Sequence, residues 1–533
     1  MTRRRLPVGI QDFSRLRENN CYYVDKTAII GTLVDQSDYV FLSRPRRFGK
    51  SLLIDTLCAL FQGRQELFQG LAIHDNWDWS VTHPVLRLSF DGLYDKSSDL
   101  DGDIIEQLES VEREYGLAPA ESSNTGPRRL RNLLDRLHAK TSQRVVVLVD
   151  EYDKPILDVL NDPELARANR DYLRGFYGII KGSAQHIRFV FVTGISMFSK
   201  VSLFSGLNNL EDISLDPRYG DLCGYTDEDI DTVFAPELDG LDRDKIRTWY
   251  NGYNWRGGTL VYNPFDVLLL LNNREFRPYW FETGSPSFLF ETLKANSIAP
   301  MELEGRIADQ SLISKFDVDE ISVEALLFQT GYLTITEERP DDFDTLYRLD
   351  YPNLEVRISL NRGLLAHLAK NDRMPRVEAH SLRTHLETND FESFGCELKA
   401  SLCSLPYQWH ATGDLARYEA WYASLLHMSF RAIGVAVHSE ASSSHGRADM
   451  VVEIDDQVFV IEFKMAEYAA AAGTEAVTQA AADALKAAFE QMRRRGYGDK
   501  YRASGRKVHL IAVACGREER NLLEVRVQTE QLQ

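Results

Sequence analysis

The segment Tyr39–Leu53 (YVFLSRPRRFGKSLL) constrains this chain more than any other. An aromatic and β-branched run leads into a tight basic loop, and Gly49-Lys50-Ser51 opens an amphipathic helix. A strand, loop and helix in that order aim backbone N–H groups and the positive end of a helix at one point, which suits an anionic phosphate. Lys50 is expected to reach the outer phosphates of a nucleotide, and the Ser51 hydroxyl to ligate Mg²⁺. The usual motif is GxxxxGK[ST], but here Arg44 stands at the first glycine position and Pro45 has no N–H to donate. The loop must hold phosphate with fewer amides or recruit its arginines, so the expected contacts are Arg46, Arg47, Phe48, Gly49, Lys50 and Ser51.

Two further strands end in matching chemistry. Arg144–Asp153 (RVVVLVDEYD) is a β-branched strand with acids at its tip. Asp150 is expected to orient Mg²⁺ through water, and Glu151 to polarise the water that attacks the γ-phosphate. Ile187–Thr193 is a third such strand, and Thr193 at its end is placed to sense that phosphate. A polar residue at a strand tip is ordinarily just solvated, so each is weak alone; three together reinforce one another. From about 20 to 235, short apolar runs alternate with helical stretches, which predicts a parallel α/β sheet of P-loop type with helices on both faces. Residues 236–375 read as a mixed, mainly helical lid or linker, and 376–533 as a second α/β domain. At about 150 residues per domain, 533 residues fit this division into 1–235, 236–375 and 376–533.

Charge bears on the partners. Lys+Arg 61 against Asp+Glu 80 gives −19, so the molecule repels a polyanion at long range and any nucleic-acid binding must use local patches. One stretch qualifies: residues 485–520 hold ten Lys or Arg and four Asp or Glu. The six cysteines show no CxxC spacing, which excludes a zinc pattern and a disulfide framework. No apolar run is long enough to span a bilayer, and the basic N-terminus is followed by no apolar signal core. A cytoplasmic location and no membrane partner are expected.

The C-terminal section carries a second site. Arg447–Ile454 (RADMVVEI) and Val458–Lys464 (VFVIEFK) flank the turn Asp455-Asp456-Gln457. If Asp455-Asp456 is a two-residue hairpin loop, Ile454 pairs with Gln457, and Asp449 falls opposite Glu462. Side chains alternate along a strand. Asp449, Glu462 and Lys464 therefore share one face, and Met450, Val452, Phe459, Ile461 and Phe463 the other. Opposed carboxylates repel. A divalent cation between them resolves the repulsion and can activate water at a phosphate, with Lys464 orienting the nucleophile or balancing charge. Without that register the three polar residues would read as the solvated face of an edge hairpin.

The strings RPRRFGKS, LVDEYDKPI, FVTGISMFSK, SLFSGLNNL, WYNGYNW, YNPFDV and FETGSPSFL, with D…ExK, resemble the bacterial AAA-ATPase-like family that carries a C-terminal PD-(D/E)XK nuclease domain. The resemblance runs over most of the chain. It implies that the arginine-rich loop is the family's own form of the phosphate loop. It also implies that Glu419, on the helix before the hairpin, can add to the metal site, and that Gln491 matches a glutamine close to the ExK strand; a plain exposed glutamine is nearly as good a reading. Arg174, Arg188 and Arg218 read as solvated surface rather than as an arginine finger, which a neighbour in a homo-oligomer would then supply. ATP, Mg²⁺ (or Mn²⁺ at the second site) and DNA are the implied cofactors and partner. The resulting expectation is an ATP-binding, ATP-hydrolysing module that controls a metal-dependent DNA endonuclease, suited to defence against foreign DNA. The alternative is a nucleotide-switched scaffold or signalling ATPase whose nuclease-like domain binds nucleic acid without cutting it. Neither tandem helicase motifs nor a second phosphate loop supports a motor.

Overall fold

The computed structural model describes the chain except residues 1–2, 119–124, 198–202, 205–206, 208, 257, 281–288, 290–291, 294–302, 311–312, 314–315, 318–319, 341–344, 370–373, 404–418, 444–445, 470–472, 503–504, 517–520 and 531–533. A few neighbouring side chains, Glu419 among them, are also outside it. The motif FETGSPSFL and parts of FVTGISMFSK and SLFSGLNNL thus lie largely outside the described residues. The contacts group the chain into two units, 1–289 with 305–353, and 290–304 with 354–533. The stretch expected as a separate middle region is divided between them.

In the first unit, β1 (Tyr39–Ser43), β2 (Val85–Ser89), β3 (Val145–Asp150), β4 (Ile187–Gly194) and the short β5 (Glu211–Asp212) form one sheet in the order β2-β3-β4-β1-β5. All its pairings are parallel. Val145–Val149 are fully buried with no alternation, the pattern of a strand covered on both faces. Helices Leu100–Glu114, Gly126–Thr141 and Pro163–Gly182 supply long amphipathic faces. The insertion of β4 between β1 and β3 sets Gly194 beside Ser43 and Val192 beside Val149, so three carboxyl ends of strands lie side by side. In a parallel sheet that edge is where ligands bind. Helix α1 (Lys50–Phe61) follows β1 directly. Later in this unit, β6 (Arg306–Asp309), β9 (Thr334–Pro340) and β10 (Thr345–Asp350) form an antiparallel sheet, with the two-residue strands β7 (Phe316–Asp317) and β8 (Glu320–Ile321) between β6 and β9 in the chain. Helix α2 (Val323–Gln329) precedes β9.

In the second unit, helices α3 (Leu354–Ala369) and α4 (Glu419–Ala432) lead into a five-stranded mixed sheet. Its strands β11 (Ala436–Ser443), β12 (Gly446–Ile454), β13 (Gln457–Met465), β14 (Lys507–Gly516) and β15 (Asn521–Glu530) lie in chain order. β13 and β14 are parallel, joined through helix α5 (Thr474–Arg495). The hairpin forms in the expected register, Met450 with Ile461 through Ile454 with Gln457. Asp455 sits at φ 52°, the left-handed geometry that a tight two-residue turn needs. The hairpin is interior to the sheet, with β11 on one side and β14 on the other, and β15 lies beyond β14.

Candidate functional site

The first unit's site is built from the loop upward. Gly49 caps α1 at φ +91°, and no side chain caps that helix, so its first N–H groups face outward as an anion site. Arg44 is not a loop residue in the usual sense. It is 1% exposed, donates to the carbonyls of Ser43 (2.8 Å), Ser214 (2.8 Å) and Tyr219 (3.1 Å), and lies 4.6 Å from the Trp255 ring. Burial lowers its pKa to about 10. Pro45 packs so tightly on Gly331 that a Cβ there would sit 2.8 Å away. The two residues that break the usual motif therefore anchor the start of the loop in the core.

Arg46 and Arg47 are exposed, and the Arg47 guanidinium stands 3.8 Å over Phe265. The Phe48 ring turns inward against Tyr253 and Trp255, so this residue can offer a ligand only its backbone. Lys50 is buried and donates to the carbonyls of Arg44 and Pro45, both at 2.9 Å. Burial lowers its pKa, while Asp150, Glu151 and Asp153 oppose that shift. Asp150 accepts from the Glu151 amide at 3.1 Å. Glu151 sits at φ 52°, and burial raises its pKa. The Thr193 hydroxyl is fully buried and donates to Leu42 at 2.8 Å, within the sheet rather than toward the loop.

A cavity of about 680 Å³ opens over this loop. Arg46, Arg47, Gly49, Lys50, Ser51 and Glu151 line it, and Asp150 and Thr193 are not among its walls. Three features of this site escaped sequence reading. Lys154 adds a fourth cation to the cavity wall. Asp153 accepts from Ile195 (3.1 Å) and Ser196 (2.6 Å), tying the ends of β3 and β4 together. Phe265, Trp280 and Tyr332, from a stretch given no site, supply an aromatic wall. The local signal for two of these is that Asp153-Lys154 stand just past Glu151, with only Tyr152 between. Arg174, Arg188 and Arg218 each pair with a nearby acid, Asp171, Asp38 and Asp216 respectively.

The second unit's site is compact. Asp449 accepts from the Phe463 amide at 2.9 Å, and its own amide lies 3.4 Å from Glu462 Oε2. Lys464 Nζ is 3.3 Å from Glu462 Oε1, and the Gln491 amide donates to that same oxygen. Gln491 also lies 3.5 Å from the Tyr497 hydroxyl. Glu462 is 0% exposed, and burial first, then the Asp449 charge, raises its pKa to about 7. Helix α5 covers this face, packing Ala484, Leu485 and Ala488 with Val451, Val458 and Val460 in one core cluster. The structure thus brings together Asp449, Glu462, Lys464 and Gln491, and adds Tyr497, whose one local signal is its position just past an arginine run. Glu419 begins α4, but its side chain lies outside the described residues.

Asp449 and Glu462 together are hard oxygen donors that suit Mg²⁺ or Mn²⁺, ions commonly held by one or two carboxylates plus water and phosphate. Among the described residues no group of three or more His, Cys, Asp or Glu is gathered for a metal. Of the basic stretch, Lys500, Arg502, Arg517 and Arg520 have side chains outside the described residues. Arg506 reaches the Asp455 carbonyl at the hairpin turn and pairs with Glu453, which lies about 13 Å along the strand from Asp449. Arg493, Arg494 and Arg495 are exposed at the end of α5, just beyond Gln491. No helix among the described residues is long and apolar enough to cross a membrane.

Comparison with known proteins follows the same division. Residues 7–204 match the AAA-ATPase-like family described as "Predicted AAA-ATPase", and residues 417–525 match the PD-(D/E)XK nuclease superfamily. The chain is 48% identical over 525 residues to "Uncharacterized protein in vnfD 5'region" of Azotobacter chroococcum mcd 1, covering 98% of each. No solved structure matches.

Proposed function

The chain belongs to the AAA-ATPase-like family with a C-terminal PD-(D/E)XK nuclease-superfamily domain, and from that premise we propose that ATP bound in the first unit controls metal-dependent cleavage of DNA in the second. The observation that carries this reading is the fully buried Glu462 facing Asp449 on two interior strands. Burying a carboxylate next to another costs several kcal/mol and does nothing for the sheet. A site that binds a cation accounts for the cost.

In this reading Asp449 and Glu462 hold Mg²⁺ or Mn²⁺, with Glu419 as a further carboxylate. The cation, when bound, neutralises the scissile phosphate and activates water. Lys464, fixed by Glu462 at 3.3 Å, balances charge on the pentavalent phosphorus or orients the nucleophile. Gln491 holds Glu462 in place, and the exposed arginines at the end of α5 carry the DNA backbone. In the first unit, Arg46, Arg47 and Lys50 neutralise the nucleotide phosphates, Ser51 and Asp150 hold Mg²⁺, and Glu151 acts as base toward the attacking water. Burial raises the Glu151 pKa, which makes it a stronger base than a free carboxylate. Thr193, held to Leu42, supports the strand end behind the γ-phosphate position. A nuclease held in check by a nucleotide suits defence against foreign DNA in the cytoplasm.

The test is cleavage of supercoiled and linear DNA with Mg²⁺ or Mn²⁺, with and without ATP, by the wild type and Lys50→Ala. The expected result is metal-dependent cutting whose rate responds to ATP in the wild type and not in Lys50→Ala. Metal-dependent cutting that ignores ATP in both proteins contradicts the control, and absence of cutting under every condition favours the switched scaffold.

A further inference from the structure

The chain passes between its two units at 289/290, 304/305 and 353/354. The middle crossing is pinned on both sides. Before it, Glu304 belongs to the second unit, where its Oε2 is 2.7 Å from Arg431 and its Oε1 is 3.5 Å from His427 Nε2. Both partners lie on α4, and their side chains are only 6% and 2% exposed. After it, Arg306 belongs to the first unit, where it starts β6 and pairs with Glu324 of α2 at 2.7 Å. A single residue, Gly305, separates the two anchors. It sits at φ +70°, and a Cβ there would lie 2.8 Å from the Arg348 guanidinium.

Each anchor touches an element that a proposed site uses. Leu326 of α2, with Thr330 and Tyr332 just beyond it, lines the cavity over the phosphate loop. Helix α4 runs into β11, which pairs along β12, the strand that carries Asp449. Consecutive Cα atoms are about 3.8 Å apart, so the Arg306 and Glu304 anchors cannot separate by more than roughly 7 Å. A shift of α2 is therefore absorbed at Gly305 or passed to α4. Arg431 and His427 both hold Glu304 on α4, so whatever part of the shift Gly305 does not take up moves α4 with it.

We infer that the Glu324–Arg306 and Glu304–Arg431 ion pairs, joined through Gly305, form a relay by which a ligand in the first unit's cavity biases helix α4 and the strand bearing Asp449. This relay rests on the reading that nucleotide controls the nuclease. Neither ion pair touches either proposed site, so both can be removed without disturbing the chemistry.

Hydrogen–deuterium exchange on the full chain, in Mg²⁺ throughout and with and without a non-hydrolysable ATP analogue, tests it in wild type, Glu324→Gln and Glu304→Gln. In wild type the analogue should slow exchange over residues 50–61 and change exchange over 423–432 by about fivefold or more. In both variants the first effect persists and the second falls below about twofold. Glu324→Gln, at one remove from the buried cluster, carries the test if Glu304→Gln fails to fold. Protection at 50–61 with no response at 423–432 in wild type, or a response there that survives Glu324→Gln, overturns the relay alone. No protection at 50–61 in wild type overturns the nucleotide reading, and the relay with it.

Discussion

The two proposed sites pose opposite electrostatic problems. In the first unit, Arg46, Arg47 and Lys50, with Lys154 paired to Asp158, gather at a cavity over an uncapped helix N-terminus, so the site is predominantly cationic. In the second, Asp449 and Glu462 face each other beside a single lysine, so the site has anions that await a cation. Burial sharpens both. It lowers the pKa of Lys50 and raises that of Glu462, each toward the neutral form, because removal from water penalises the charge more than its neighbours of opposite sign restore. The sign of the charge that gathers at each site matches the ligand proposed for it: an anion in the first unit and a cation in the second.

Breaking the anionic site should have the largest effect. Lys464→Ala is expected to lower metal-dependent DNA cleavage by about two to three orders of magnitude, since it removes a charge that acts on the reacting phosphate. Cleavage within a few-fold of wild type would remove Lys464 from the chemistry. On the cationic side, Lys50→Ala should weaken ATP binding by about 10- to 100-fold, the worth of one hydrogen bond to a charged group. Fluorescent-nucleotide titration reads this directly, and unchanged affinity would mean that Lys50 stays on its loop carbonyls when nucleotide binds.

A pH series on stability compares two carboxylates within the second unit. The Glu462 pKa is raised to about 7 from 4.5, so the stability it contributes is full below about 4.5 and is lost as pH rises through about 7. Burial works against Glu304 too, but the His427 hydrogen bond and the Arg431 charge outweigh it and lower its pKa to about 2. Its contribution is present above about 4.5 and lost as pH falls toward about 2. Each amounts to about 3 kcal/mol at most. Denaturant unfolding in chelator should lose its neutral-pH slope in Glu462→Gln and its acid slope in Glu304→Gln. An unchanged slope between pH 5 and 8 in Glu462→Gln would mean that Glu462 is not held neutral. The smallest effect is expected for Arg506→Ala, which should change DNA affinity by less than about twofold because that arginine already pairs with Glu453 far from Asp449. A larger loss would extend the DNA path to the hairpin turn.

What the sequence made legible follows from how local each feature is. The hairpin register was readable because a two-residue turn fixes every pair after it, and Asp455 adopts the conformation that such a turn requires. The same holds for β1, the loop and α1, which are contiguous. Non-local packing was not readable. That Arg44 is a core residue depends on Ser214, Tyr219 and Trp255, about 170 to 210 positions away. The grip of Gln491 on Glu462 depends on how α5 crosses the sheet. β15 hides its strand character behind Glu524, Arg526 and Gln528, the polar positions of a half-covered edge strand. Spacing in sequence does not fix spacing in space along the basic run: Arg495 ends α5, whereas Arg506 pairs with Glu453 near the hairpin turn.

The central claim is that the buried carboxylate pair is a cation site. Calorimetric titration of Mn²⁺ into nucleotide-free wild type and Asp449→Asn tests it most directly. The account predicts binding in wild type at neutral pH that is lost, or weakened at least tenfold, in Asp449→Asn, a protein that still folds because an amide oxygen can accept from Phe463. Equal Mn²⁺ binding by the two proteins, or none by wild type, would contradict it.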